Sequence, residues 1–212
     1  MLFMKLMKDG GPVMWIILVL DIIALAVVLQ KTFQFHREEI NVRELLRGLF
    51  NVLKRDGFIE AISLCDNTPG PVARMLSAAI AAKQQGDEDI RSAVDDAAFN
   101  EIPRLERGVK LLGTIGFILP LIGFFGTVVG MLQAFEVVKA SEFLSASAVS
   151  GAVTSALLTS AAGLAGAIPC YVAYNYLVSR INTITLDMER AAIEIVSFFE
   201  RSVRSGDLKN ID

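Results

Sequence analysis

The sequence predicts an all-α membrane protein with three transmembrane helices, two of them extended into a cytoplasmic helical bundle. Three observations carry that fold class. The chain is uncharged from Phe143 to Ser179 and again from Leu111 to Phe135. Pro12 to Leu29 is apolar too, with Asp21 as its one charged residue. About 20 residues of helix cross a hydrocarbon core of roughly 30 Å. Lipid offers no hydrogen bonds to a bare backbone, so each segment must satisfy its own as a helix.

Composition agrees and excludes other classes. Mean hydropathy is +0.52 and charged residues make up 20% of the chain. That charge is segregated: residues 31–110 carry most of it, in both signs. A net charge of -3 lacks the basic stripe that nucleic acid requires. Two cysteines, Cys65 and Cys170, and one histidine, His36, are too few and too scattered for a metal site. There is no Ser-His-Asp set and no phosphate-binding loop. The sequence therefore predicts no enzyme, no cofactor and no metal.

Residues 1–10 read as a short amphipathic helix on the membrane surface, with Lys5 and Lys8 at headgroup level. Gly10-Gly11-Pro12 breaks the chain, and the first span occupies 11–32. Pro12 suits a first helical turn, where its missing N–H costs nothing. Trp15 stands at the height of an interfacial anchor. No Ala-x-Ala site follows, so the run is read as a retained span.

The region 33–106 is charged and helical. Val42, Leu45, Leu46, Leu49 and Leu53 recur at three and four, an amphipathic helix begun by Glu38 or Asn41. Phe58 to Cys65 is a short helix, stopped by Asp66-Asn67-Thr68-Pro69-Gly70-Pro71. Val72 to Gln85 is an Ala-rich helix ending at Gly86. Asp87 is a candidate N-cap, with Glu88 and Asp89 in the positive first turn. From there the pattern predicts helix through Arg104, Arg107 and Lys110 into the second span, 107–137, with Pro103 a local bend at most. A short link, 138–147, leads to the third span, 148–178. In 179–212 Ile181, Ile184, Leu186, Met188, Ile193, Val196 and Phe199 extend the helix until Gly206.

Basic residues set the expected orientation. Lys and Arg are dense between the first two spans, and Arg180, Arg190, Arg201 and Arg204 follow the third. Only Lys139 lies in the short link. The excess of Lys and Arg belongs on the cytoplasmic side, so the middle region and C-terminus lie inside. The N-terminus and the link lie outside, against the minor vote of Lys5 and Lys8.

Within the spans, polar and small residues are the informative ones. Gly116, Gly123 and Gly130 are seven apart, close to two helical turns, so they share a face with Thr127. Gly126 and Gly130 form a small-xxx-small pair, which lets backbones approach. Pro120 frees a carbonyl and bends the helix near its centre. The third span has two small faces: Ala152, Ala156, Ser160, Gly163 and Ala167 on one, Ser155, Thr159, Ala162, Gly166 and Pro169 on the other. Hydroxyls at this depth bond to the preceding turn, bridge helices, or hold water in a passage. So many small faces predict self-association or a partner. Asp21 is expensive as a bare carboxylate at mid-span, so it is protonated, hydrated or facing a partner. It is a candidate for a proton pathway, or else for a wet subunit edge.

Two stretches carry a resemblance to a known family. Leu119-Pro120-Leu121-Ile122-Gly123-Phe124-Phe125-Gly126-Thr127-Val128-Val129-Gly130-Met131 resembles the second-span signature of the ExbB/TolQ proton-channel family, relatives of the flagellar stator MotA. Ala156-Leu157-Leu158-Thr159-Ser160-Ala161-Ala162-Gly163-Leu164, followed by Ala167-Ile168-Pro169 and Tyr174-Asn175, resembles its third-span signature. Gly11-Pro12-Val13-Met14-Trp15 and Ile102-Pro103-Arg104-Leu105-Glu106 are similar as well.

The resemblance implies a homopentamer in the bacterial inner membrane around a central pore. The pore would hold a dimer of single-span ExbD- or TolR-like partners that supply a proton-carrying aspartate. The work would pass to a TonB- or TolA-like protein, for energised transport or envelope maintenance. By resemblance Thr127 matches the second-span pore threonine, and Ser160 matches the third-span threonine without its methyl. Thr159 precedes it, and Ser155 stands where some members have a pore-lining glutamate. Asp21 matches no functional position of the family, and Gln30-Lys31 replaces a frequent Glu-Arg. A flagellar-stator-like subunit and a non-conducting membrane scaffold are the alternatives; the short middle region argues against the stator.

Overall fold

The computed structural model describes Met7 and residues 10–38, 40–86, 89–140 and 146–205. Among these the chain is all helix, in seven elements: α1 Gly11–Arg37, α2 Val42–Leu53, α3 Phe58–Asp66, α4 Pro71–Gln84, α5 Ile90–Glu106, α6 Val109–Ala140 and α7 Ala146–Ser205. Three helical stretches are long and apolar enough to cross a membrane. The chain divides into two units: Met1–Lys31 with Gly108–Leu177, and Thr32–Arg107 with Val178–Asp212. The expected surface helix at 1–10 apart from Met7 and Gly10, the centre of the 138–147 link, Asp87, Glu88 and Gly206 lie outside the described residues.

The second unit is a helical bundle built on the burial of large side chains. Asn41, one of the two starts expected for α2, is its N-cap, and its side chain accepts from the Glu44 N–H at 3.4 Å. The amphipathic face of α2 buries Leu46, Leu49 and Leu53. Gly70, at φ +120°, turns the chain into α4 with Pro71 at its start. A Cβ at Gly70 would come within 3.2 Å of the Glu38 carbonyl, so glycine is needed there for space as well as for its dihedral. Helix α4 buries Met75, Leu76, Ala79 and Ile80, and α7 adds Met188, Ala191, Ile195 and Phe199 at spacings of three and four. The rings of Phe50 and Phe198 stack with centroids 4.8 Å apart. Burying such side chains stabilises a bundle in water by about 2 kcal/mol each. Leu186 and Ile193, read as part of the helix's apolar periodicity, face outward instead.

Two boundary readings are corrected. The N-cap of α5 is Asp89, which accepts from the Ser92 N–H at 3.0 Å, so the helix starts later than a cap at Asp87 implies. The helix also does not run unbroken into the second span. It stops at Glu106, and Gly108 takes φ +90° before α6 begins at Val109. That left-handed dihedral ends helices and is cheap only for glycine. Basic residues on both sides of the stop mimicked continuity in the sequence.

Glu101 crosses the bundle as a buried carboxylate between two guanidiniums, 2.7 Å from Arg74 on α4 and 3.0 Å from Arg104 on its own helix. Burial pushes this carboxyl up, but the hydrogen bonds and charges of Arg74 and Arg104 outweigh burial and hold it below the usual carboxylate range. Burial, reinforced by the adjacent Asp66 charge, pushes the Cys65 thiol up to about 12, which makes it inert.

Candidate functional site

In the first unit, α6 and α7 meet along the glycine face that the sequence defines. A Cβ at Gly116 would touch Cys170, one at Gly123 would come within 2.9 Å of the Thr159 carbonyl, and one at Gly130 would lie 2.7 Å from the Ala156 Cβ. Gly126 receives the Thr159 side chain, whose Cβ would stand 2.7 Å from an added methyl. Gly163 answers from α7, where a Cβ would be 2.7 Å from the Leu119 carbonyl. Pro120 lies within α6 and Pro169 within α7, and neither ends its helix.

This packing overturns one reason for expecting self-association. Gly116, Gly123, Gly126 and Gly130 are covered by small residues of the same chain, so these glycines leave no spare packing face. What α6 leaves outward is large and apolar, including Phe117, Leu121, Phe124 and Phe125. Gly113, which sequence reasoning passed over, belongs to the same contact and lies against the ring of Tyr174. Its signal was its place three residues before Gly116.

At the centre of this contact the Thr127 and Ser160 hydroxyls are hydrogen-bonded to each other across the two helices. The Thr127 hydroxyl also lies 3.3 Å from the Gly123 carbonyl of its own helix and 3.3 Å from the Ala156 carbonyl of α7. The Ser160 hydroxyl reaches the Gly123 carbonyl at 3.2 Å. Both residues are half-buried. The Thr159 hydroxyl donates to the Ala156 carbonyl at 2.8 Å. It therefore bonds back along its own helix and takes no part in the pair. Ser155 lies one turn before Thr159 and is half-buried.

Proton counting says what the pair can do. Two hydroxyls own two protons, while two carbonyls and the neighbouring hydroxyl oxygen compete for them. With Ser160 donating to Gly123 and Thr127 donating to Ser160 or to Ala156, both protons are used. The pair then presents lone pairs. A carboxylic acid can donate to such a site directly, whereas a carboxylate finds a donor only if a hydroxyl turns away from its carbonyl.

Asp21 is not brought to this pair. It projects from α1 onto the second small face of α7, where its carboxyl lies against Gly166. A cavity of about 520 Å³ opens beside it, lined by α1 residues that include Leu18 and Leu25 and by α7 residues that include Ala162 and Pro169. The sequence placed Asp21 at mid-span, but a cross-helix partner leaves no periodicity to read. Among the described residues, no group of three or more His, Cys, Asp or Glu side chains gathers as a metal site would require.

Comparison with known proteins agrees with the two signatures. Residues 67–190 match the MotA/TolQ/ExbB proton channel family, a stretch that holds the glycine contact and the hydroxyl pair and omits Asp21. The chain is 30% identical over 175 residues to the ExbB-like 1 protein of Synechocystis sp., covering 80% of this chain and 68% of that one. It is 35% identical over 109 residues to the Tol-Pal system protein TolQ of Haemophilus influenzae, about half of each chain (51% and 48%). It is 25% identical over 206 residues to the biopolymer transport protein ExbB of Neisseria meningitidis, covering 89% of this chain and 92% of the relative. With more than half of its length matched and its two signature spans packed against each other, the chain belongs to the MotA/TolQ/ExbB proton channel family.

Proposed function

We propose that the chain is the three-span subunit of a proton-driven motor of the bacterial inner membrane. Five copies would surround a pore that holds a dimer of single-span ExbD- or TolR-like partners. The motor would convert proton-motive force into work on a TonB- or TolA-like protein, for energised transport or envelope maintenance. The relatives named ExbB and TolQ support this reading over a flagellar stator. The density of Lys and Arg between the first two spans and after the third supports a periplasmic N-terminus and a cytoplasmic C-terminus.

The observation that carries the proposal is the hydroxyl pair of Thr127 and Ser160 inside the family-matched segment. A protonated partner carboxyl would donate to the lone pairs of this pair. On losing its proton it would need a hydroxyl to swing outward or water to enter, which costs free energy in a low-dielectric wall. The two charge states would thus favour different seats, the condition for turning proton transfer into movement. Ser155 would line the approach, and Thr159, buried against Gly126, would hold the wall in shape together with Gly116, Gly123, Gly126, Gly130, Gly163, Pro120 and Pro169.

Co-expression with a candidate single-span partner of the ExbD or TolR type, followed by native mass spectrometry in mild detergent, tests the assembly. Five copies of the chain with two of the partner are expected. A monomer or dimer as the only species, with no partner retained, would remove the pore and the motor with it.

A further inference from the structure

On a different face of α7 from the hydroxyl pair, Asp21 sits in a notch of its own. A Cβ at Gly166 would fall 2.8 Å from the Asp21 Cγ and closer still to an oxygen, so glycine is the residue that admits the carboxyl there. The cavity beside it is walled by apolar side chains of α1 and α7 and by Met7. Besides Asp21, the one titratable group among the described lining residues is the Cys170 thiol, and that thiol donates to the Leu112 carbonyl at 3.3 Å. No lysine, arginine or histidine is among the described lining residues. A bare carboxylate in such a place pays its desolvation without a cation to offset it. A carboxylic acid does not, and water entering the cavity would let the proton leave.

We propose that Asp21, seated at Gly166 beside this cavity, is a proton-binding site carried by the chain itself, separate from the hydroxyl pair and independent of any partner. An acid in an apolar cavity is also a modification site for a dialkylcarbodiimide, a neutral apolar reagent. In that reaction the carboxyl O–H proton moves to one carbodiimide nitrogen while the carboxyl oxygen bonds to the central carbon, consuming one C=N double bond. The acyl group then shifts from that oxygen to nitrogen. The product is a stable N-acylurea with the summed mass of both reactants, and nothing is oxidised or reduced.

The test uses the full chain in liposomes without a partner, treated with dicyclohexylcarbodiimide or with a cationic water-soluble carbodiimide, and read by peptide mass spectrometry. The apolar reagent should modify Asp21 at least about tenfold faster than the cationic one, because a charged molecule pays desolvation to enter the cavity. The rate should fall as pH rises, since the reaction needs the acid form. Asp21→Asn should abolish the adduct. Gly166→Ala, which displaces the carboxyl from its notch, should change the rate severalfold. Absence of an Asp21 adduct, or equal reaction with both reagents, would overturn the proposal. An unchanged rate in Gly166→Ala would remove the seat at Gly166. Because no partner is present, failure here leaves the hydroxyl-pair reading standing, and failure of that reading leaves this one standing.

Discussion

The helical bundle and the α6–α7 contact are held together in opposite ways. The bundle buries Leu49, Met75, Ile80 and Phe199, side chains chosen for size. The α6–α7 contact has glycine at its closest points, and its large side chains, such as Phe117 and Phe124, point away from it. Water explains the difference. In the bundle each large side chain gains by leaving water. In lipid, leaving the solvent brings no such gain, so helices associate through close backbone packing and hydrogen bonds. Deleting volume should therefore damage the bundle, and adding volume should damage the spans.

The largest effect is expected in the bundle. Phe199→Ala should cost about 3–5 kcal/mol, the usual range for emptying a buried aromatic site. Cys65 reports it: the buried thiol should be slow to alkylate in the native chain and should react fast once the variant lets the bundle open. Site-resolved mass spectrometry of alkylation in the full chain measures this. Equal Cys65 protection in the variant would show that the bundle does not depend on large side chains.

Next comes Gly163→Ala, a single methyl. Its neighbours are the Leu119 carbonyl and the Gly123 backbone, which cannot rotate aside. A cost of about 1–3 kcal/mol is expected from overpacking. Gly151→Ala is the control, because an added Cβ there meets nothing within 4 Å. Thermal denaturation in detergent should separate the two variants by several degrees, and identical curves would break the comparison.

A smaller effect belongs to Glu101. Glu101→Gln should cost about 1 kcal/mol, a value kept low because Arg74 and Arg104 are partly exposed and water screens them. The sign of its pH dependence follows from a carboxyl held below its ordinary range in the folded chain. The stabilisation is complete above the unfolded carboxylate range and is lost as pH falls through the folded value. The difference in melting temperature between wild type and Glu101→Gln should thus be flat near neutrality and shrink in acid. A difference that grew in acid would contradict the ion-pair assignment.

Most of the helices were legible in the sequence because their signals are local: an uncharged run, a three-four periodicity, an Asn41 cap. The stop at Gly108 was missed because its sign is a dihedral, and the residue itself is common in these spans. The shared face of Gly116, Gly123, Thr127 and Gly130 was legible from helical spacing. What covers that face was not, since spacing on one helix says nothing about which helix answers it. That is why spare glycine surface was expected where the chain covers its own. Of the uses open to a hydroxyl at this depth, Thr159 takes a bond to the preceding turn, at the Ala156 carbonyl, a choice set by rotamer. The meeting of Thr127 with Ser160, and of Asp21 with Gly166, depends on register between distant helices, which no local pattern encodes.

The central claim is that the hydroxyl pair handles a proton-carrying carboxyl. It is tested most directly by proton uptake into liposomes that contain the chain and its co-purified single-span partner. Thr127→Val keeps shape and removes one hydroxyl, and Ser160→Ala removes the other with little volume, so the lone pairs offered to an acid are lost. With assembly verified by co-purification, each variant should lower partner-dependent proton uptake, and the double variant should abolish it. Wild-type uptake by an intact Thr127→Val, Ser160→Ala complex would reduce these hydroxyls to packing groups and contradict the account.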